Sequence, residues 1–76
     1  MFNKKYKKII TIEGMNCEHC AKKVKNVLSN LENVTKVKVN LKNKQAIVIS
    51  KILLEDNYLK KIIENLDYQI VSIKDL

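Results

Sequence analysis

Several residue types are scarce or missing in this 76-residue chain, and each shortage excludes a class of protein. Proline and tryptophan are absent and aromatic residues make up only 5% of the chain, so a core must be built mainly from Ile, Val and Leu. All fifteen cations are lysine, which lacks the planar fork that arginine uses to recognise bases and phosphates. The lack of arginine therefore argues against sequence-specific nucleic-acid binding, whereas the net charge of +7 leaves open both attraction to an acidic protein surface and simple solubility.

Long hydrophobic runs are also missing. The apolar stretch after the Lys-rich start covers only residues 9–12, which is shorter than a signal-peptide core or a membrane span. The two cysteines lie three positions apart, and a disulfide closing so small a loop would stabilise a secreted fold little. We therefore expect a cytoplasmic protein with free thiols and no membrane insertion. At this length we expect one domain over residues 1–76, with its core at about 7–74.

The spacing of apolar residues predicts four strands and two helices. In chain order these are a strand over residues 7–13, a helix from about residue 20 to 31, a hairpin of strands over 37–41 and 45–50, a helix over 54–66 and a strand over 69–74. This order is typical of an α+β, ferredoxin-like βαββαβ sandwich, in which two helices cover one face of a four-stranded antiparallel sheet.

The most informative stretch is residues 14–20, Gly-Met-Asn-Cys-Glu-His-Cys, between the first strand and the first helix. Two thiols separated by two residues on a turn can converge on one ion. Free backbone N–H groups and the helix dipole favour negative charge at a helix start, so Cys20 in particular should ionise more readily than an isolated cysteine. Thiolates in turn select soft ions such as Cu(I) over Mg²⁺ or Ca²⁺.

The number of ligands favours Cu(I) over a structural zinc ion. Zinc usually takes four protein ligands, whereas this chain offers two thiols and one imidazole, that of His19. Cu(I) is satisfied by two thiolates, and an exposed ion of low coordination number can accept a partner's thiolate before the first pair releases it. We therefore predict that Cys17 and Cys20 bind Cu(I) in a protein that is not an enzyme. Delivery of Zn²⁺, Hg²⁺ or Cd²⁺ is the alternative function. The interpretation that assigns no function is that the two thiols are incidental.

Four neighbouring side chains have more than one interpretation. Met15 either packs in the core or offers a thioether to the metal. His19 either tunes thiolate basicity or self-association from outside the coordination shell, binds the metal directly, or has no role. Lys22 and Lys23, on the solvent face of the first helix, either dock an acidic partner surface or are simply solvated.

Two other classes of protein share parts of this pattern. A CxxC at a helix start also describes thioredoxin-like dithiol oxidoreductases, but those folds place a cis-proline against the dithiol and this chain has no proline. A basic βαββαβ sheet is also the architecture of RNA-recognition domains, whose third strand carries stacking aromatic residues. The third predicted strand here, Gln45–Ser50, has none, so we expect no nucleic-acid partner.

Residues 14–20 resemble the GMxCxxC signature of the heavy-metal-associated domain family, and residues 66–68, Leu-Asp-Tyr, resemble the Gly-Tyr turn of many bacterial copper-binding members. The resemblance implies the βαββαβ fold, metal ligation by Cys17 and Cys20, and Met15 packed beneath the loop. It also implies that Tyr68 lies on a neighbouring loop over the ion; otherwise Tyr68 caps the edge of the core.

Within that family, a domain with a histidine between the two cysteines, as His19 is here, most resembles bacterial copper chaperones. This likeness implies a copper-transporting P-type ATPase, through its soluble metal-binding domain, as the partner. It also implies a monomer in the metal-free state, with a metal-bridged dimer left open. Asp67 stands where glycine is usual, and we expect the turn to survive because Asp tolerates left-handed backbone. Asn16 replaces an aspartate common in zinc-exporting relatives and so favours copper.

Overall fold

The computed structural model of the protein describes residues 5–76 and has the predicted order of elements. The α+β, ferredoxin-like βαββαβ sandwich is therefore confirmed. The single domain predicted over residues 1–76 includes residues 1–4, which lie outside the described part of the chain. The elements are β1 (Tyr6–Glu13), α1 (Glu18–Ser29), β2 (Val34–Asn40), β3 (Gln45–Ser50), α2 (Asp56–Glu64) and β4 (Gln69–Asp75).

The four strands form one sheet in the order β2-β3-β1-β4, and all neighbours are antiparallel. Strand β1 lies inside the sheet, where Ile10 is opposite Ala46 of β3 and Ile73 of β4. Because side chains alternate along a strand, the residues at even positions of β1 face the helices and those at odd positions face the other way. The pairing of β1 with β4 shifts register between Thr11 and Ile12, as at a β-bulge.

Both helices cover the same face of the sheet. Each contributes two fully buried residues one turn apart, Val24 and Leu28 from α1 and Leu59 and Ile63 from α2, as expected for amphipathic helices. They meet the inward side chains of the strands in a single cluster of Ile10, Ile12, Met15, Val24, Leu28, Val37, Ala46, Val48, Leu54, Leu59 and Ile63. No helix within residues 5–76 is long and apolar enough to cross a membrane.

Several element boundaries differ from those predicted, and the largest differences are at α1, α2 and β2. Helix α1 begins at Glu18 rather than near Cys20, because Cys17 itself caps the helix. Helix α2 covers residues 56–64 rather than 54–66, because Glu55 is extended before it (φ −73°, ψ 140°) and the chain turns out of the helix before Asp67 (φ 66°). Strand β2 begins at Val34, three residues before the predicted start.

A buried lysine on the core side of β1 was not predicted. Lys8 points to the same face as Ile10 and Ile12, and its side chain is only 7% exposed. Its Nζ lies 2.5 Å from Oδ1 of Asp56 and 3.1 Å from Oδ1 of Asp75. Desolvation by burial works to lower the pKa of Lys8, but the two carboxylates outweigh it and raise that pKa. The ammonium thus joins β1 to the start of α2 and the end of β4.

Candidate metal centre

The loop that carries the cysteines is fixed at its start by a glycine and a buried methionine. Gly14 follows β1 with φ 101°, a conformation that favours glycine. A Cβ at Gly14 would also lie 3.0 Å from Cδ1 of Tyr68. Met15 is fully buried in the core cluster. The chain therefore returns to the surface at Asn16, and the next residue, Cys17, is exposed.

The two thiols converge where the loop enters α1. Cys17 is the N-cap of the helix, with extended backbone, and its Sγ accepts a hydrogen bond from the backbone N–H of Cys20 at 3.3 Å. Such a cap satisfies one of the N–H groups that a helix start leaves without a partner. The two Sγ atoms lie 2.9 Å apart, and both cysteines are free thiols. Cys17 is exposed and Cys20 half-buried, so both can be reached from one side of the protein.

Hydrogen bonds hold the pKa of Cys20 below its ordinary value of 9.0, at about 7. The largest cause is the bond with Cys17, followed by the bond with Tyr68, while burial opposes them and backbone N–H groups of Asn16 and Cys17 assist. The same contact raises the pKa of Tyr68 to about 12, since its hydroxyl is bonded to the Cys20 sulfur and loses that bond when it ionises. The direction for Cys20 agrees with the sequence-based expectation, but side-chain bonds contribute more than the backbone at the helix start.

Tyr68 reaches the thiols from the turn between α2 and β4. That turn closes through a backbone hydrogen bond from Tyr68 N–H to the carbonyl of Ile63, and Asp67 takes the predicted left-handed conformation. The half-buried ring packs against the core cluster and against Gly14. Tyr68 therefore lies both at the edge of the core and beside Cys20.

The structure does not gather further ligands around the thiols. His19 is exposed in the first turn of α1, and within residues 5–76 no group of three or more His, Cys, Asp or Glu side chains is placed to hold a metal ion. Lys22 and Lys23 are exposed on the same helix. The contribution of the Asn16 backbone N–H to the lowered pKa of Cys20 could not be predicted from the sequence, because a main-chain donor does not depend on the type of residue.

A βαββαβ sandwich with two free thiols at the junction of its first strand and first helix defines a class of small domains suited to binding soft metal ions. The sequence model of the heavy-metal-associated domain matches residues 9–69. The chain belongs to this family.

Relatives and solved structures agree with this assignment. A copper chaperone CopZ of Staphylococcus aureus is 38% identical over 66 residues, which cover 83% of this chain and 94% of the relative. A solved CopZ metallochaperone superposes with a TM-score of 0.76 at 35% identity, covering 86% of this chain and 98% of that one. A copper-binding domain from HMA7, a P-type ATPase, superposes with a TM-score of 0.76 at 26% identity, covering 93% of each chain.

Proposed function

We propose that this protein binds one Cu(I) ion between the thiolates of Cys17 and Cys20 and passes it to another protein as cargo. The observation that carries the proposal is the convergence of two free thiols, 2.9 Å apart, at an exposed helix start. The pKa of about 7 at Cys20 supports it, because a large fraction of that sulfur is already thiolate at neutral pH. The family and the copper chaperones it contains support the choice of ion.

Transfer proceeds by exchange of thiolate ligands, without any change of oxidation state. A thiolate of the acceptor bonds to Cu(I) first, and the bond from copper to one of the two cysteines then breaks. A proton leaves the acceptor's thiol as it becomes a ligand and is taken up by the cysteine that is released. The hydroxyl of Tyr68 donates to Cys20 and so stabilises its free thiolate until that proton arrives.

We infer that the acceptor is the soluble metal-binding domain of a copper-transporting P-type ATPase, met in the cytoplasm. The likeness to the copper-binding domain of such an ATPase supports this inference, because two domains of the same shape can present their thiols to each other. Lys22 and Lys23 follow the CxxC on the exposed side of α1, where they are placed to attract an acidic acceptor surface.

Loss of either thiol is the first test of the proposed site. Cys17→Ser and Cys20→Ser should each lower Cu(I) affinity by orders of magnitude, because one thiolate is left to hold the ion. Neither side chain is part of the buried core, so the fold should persist. Affinity is measured anaerobically by competition with a Cu(I) chelator of known strength, and Ser29→Ala, at the exposed far end of α1, is the control. Near-normal affinity in either serine variant would refute the two-thiolate site.

The identity of the ion is tested by competition between Cu(I) and Zn²⁺ for the metal-free protein, with a chelator of known affinity for each. A preference for Zn²⁺ after correction for the chelators would transfer the same mechanism to that ion. A disulfide-reduction assay run beside it tests the oxidoreductase alternative, which needs turnover in the absence of metal.

The docking role of Lys22 and Lys23 is tested by reversing their charge. Lys22→Glu combined with Lys23→Glu should slow transfer to the ATPase domain at low salt, because the two new carboxylates repel an acidic acceptor surface. Cu(I) affinity should be unchanged, because only Cys17 and Cys20 are proposed to bind the ion. Lys60→Glu with Lys61→Glu, on the exposed side of α2, matches the change in charge. If the transfer rate were the same in both double variants, docking through α1 would be wrong.

A further inference from the structure

The face of the sheet that the helices do not cover combines isoleucine with lysine. Its register places Lys38, Ile47, Ile9 and Lys74 side by side in one row across all four strands. The adjacent row contains Lys36, Ile49 and Lys7. We call this surface, formed by these three isoleucines and four lysines, the open face.

The three isoleucines are half-buried, whereas the four lysines around them are exposed. Apolar residues at the centre of a rim of cations resemble the residue pattern of proteins that lie on membranes, where lysine stems cover apolar surface and their ammonium groups remain in the polar layer. Among the outward residues of the described strands the single acid is Glu13, at the end of β1 next to Gly14. The open face is therefore uniformly positive.

We propose that the open face docks reversibly on anionic phospholipid, with its isoleucines among the headgroups and its lysines against the lipid phosphates. The charge is complementary to such a surface, and each lysine close to it contributes about 1 kcal/mol, a factor of about five in affinity. The ammonium of lysine is a compact point charge on a flexible stem, so its attraction to mobile lipid headgroups needs no fixed bidentate geometry.

Nucleic acid fits the open face less well. Single-stranded nucleic acid is bound by aromatic side chains on which bases stack. The outward-facing residues of the four described strands include no aromatic side chain; Tyr6 has the opposite orientation, in the same register as Lys8 and Ile10.

Docking in this orientation leaves the thiols accessible. Gly14 is five residues along from Ile9, roughly 16 Å at the rise of a strand, so the CxxC loop lies at the edge of the docked face and not beneath it. The protein would then move along a membrane with its candidate metal site exposed to other proteins.

The test measures co-sedimentation of the metal-free, reduced protein with vesicles of two parts phosphatidylcholine to one part phosphatidylglycerol. We expect binding to these vesicles, weaker binding at high salt, and none to pure phosphatidylcholine. Lys38→Gln with Lys74→Gln should weaken binding about thirtyfold, and Lys25→Gln with Lys60→Gln, which make the same change in net charge on the helices, by less than about twofold. Ile47→Thr, which keeps a β-branched residue in β3, should weaken it about threefold.

Three results would overturn the proposal. Equal losses in the two lysine variants would mean that net charge alone attracts the protein, and unchanged binding in Ile47→Thr would remove the apolar contact. Tighter binding to soluble polyglutamate than to the anionic vesicles would identify the open face as a site for an acidic protein. Because no copper is present, failure here leaves the proposed metal transfer untouched, and failure of copper binding leaves this result untouched.

Discussion

Gly14→Ala tests whether the glycine before the CxxC sets both the stability of the fold and the position of Tyr68. The substitution forces a residue with a side chain to φ 101°, and strain of this kind costs about 1–3 kcal/mol. It also introduces a Cβ 3.0 Å from Cδ1 of Tyr68, closer than an ordinary carbon–carbon contact of about 3.5–4.0 Å. The ring must therefore move by several tenths of an ångström, away from Gly14.

Two measurements separate the effects of the backbone and the ring. Urea denaturation gives the free energy of unfolding, and each kcal/mol lost should lower Tm by about 4–8 °C in a domain of this size. The ultraviolet absorbance of the thiolates, followed against pH, gives the lower apparent pKa of the Cys17–Cys20 pair, which reports the lowered pKa of Cys20. That pKa should rise from about 7 toward 9.0 if the displaced Tyr68 hydroxyl no longer bonds to the sulfur.

A double-mutant cycle with Tyr68→Ala isolates the contact. In the Tyr68→Ala background the clash is removed, so Gly14→Ala should cost less than in the natural protein, and the remaining cost measures backbone strain. Equal costs in the two backgrounds would refute the contact between Gly14 and the ring. A negligible cost in the natural protein would refute the strain itself.

Two further predictions follow from charges described above. Because the pKa of Cys20 is lowered on folding, its contribution to stability is complete above 9.0 and is lost as pH falls toward about 7. The Tm of the metal-free protein should therefore rise from pH 7 to pH 9. This rise should be smaller in Tyr68→Phe and should be missing in Cys20→Ser. An equal rise in Cys20→Ser would show that other groups cause it. At the buried ion cluster, Asp56→Asn with Asp75→Asn leaves the Lys8 ammonium without its two carboxylates and should destabilise the fold by about 2 kcal/mol. This cost is below the roughly 3–5 kcal/mol of a fully buried pair, because both carboxylates are largely exposed. Lys8→Met should cost less in the same urea assay, and the opposite order would show that the carboxylates do not stabilise the lysine.

Much of the fold could be predicted because the apolar spacing in this chain is regular. Val24 and Leu28, or Leu59 and Ile63, lie one helical turn apart and proved to be the buried positions of the two helices. The ends of the helices were harder, because they depend on groups that spacing does not report. Cys17 acts as an N-cap through its sulfur, a role more common for Ser, Thr, Asp or Asn.

Part of the candidate site could also be predicted from local spacing in the sequence. The convergence of Cys17 and Cys20 follows from two residues of separation at a helix start, so local rules suffice. The bond between Tyr68 and Cys20 joins residues 48 positions apart, and only the resemblance to a family placed them near each other. The burial of Lys8 could not be predicted either, since its two carboxylates come from the start of α2 and the end of β4.

The sheet order makes β2 and β4 the two outer strands. An outer strand offers unpaired amides and carbonyls to any other chain that approaches, which is a common route to aggregation. On β2, Thr35 interrupts the pairing with β3, and Lys36 and Lys38 follow it. Two molecules that met along this border would bring their ammonium groups together on an irregular edge, an arrangement that disfavours pairing between copies of the protein.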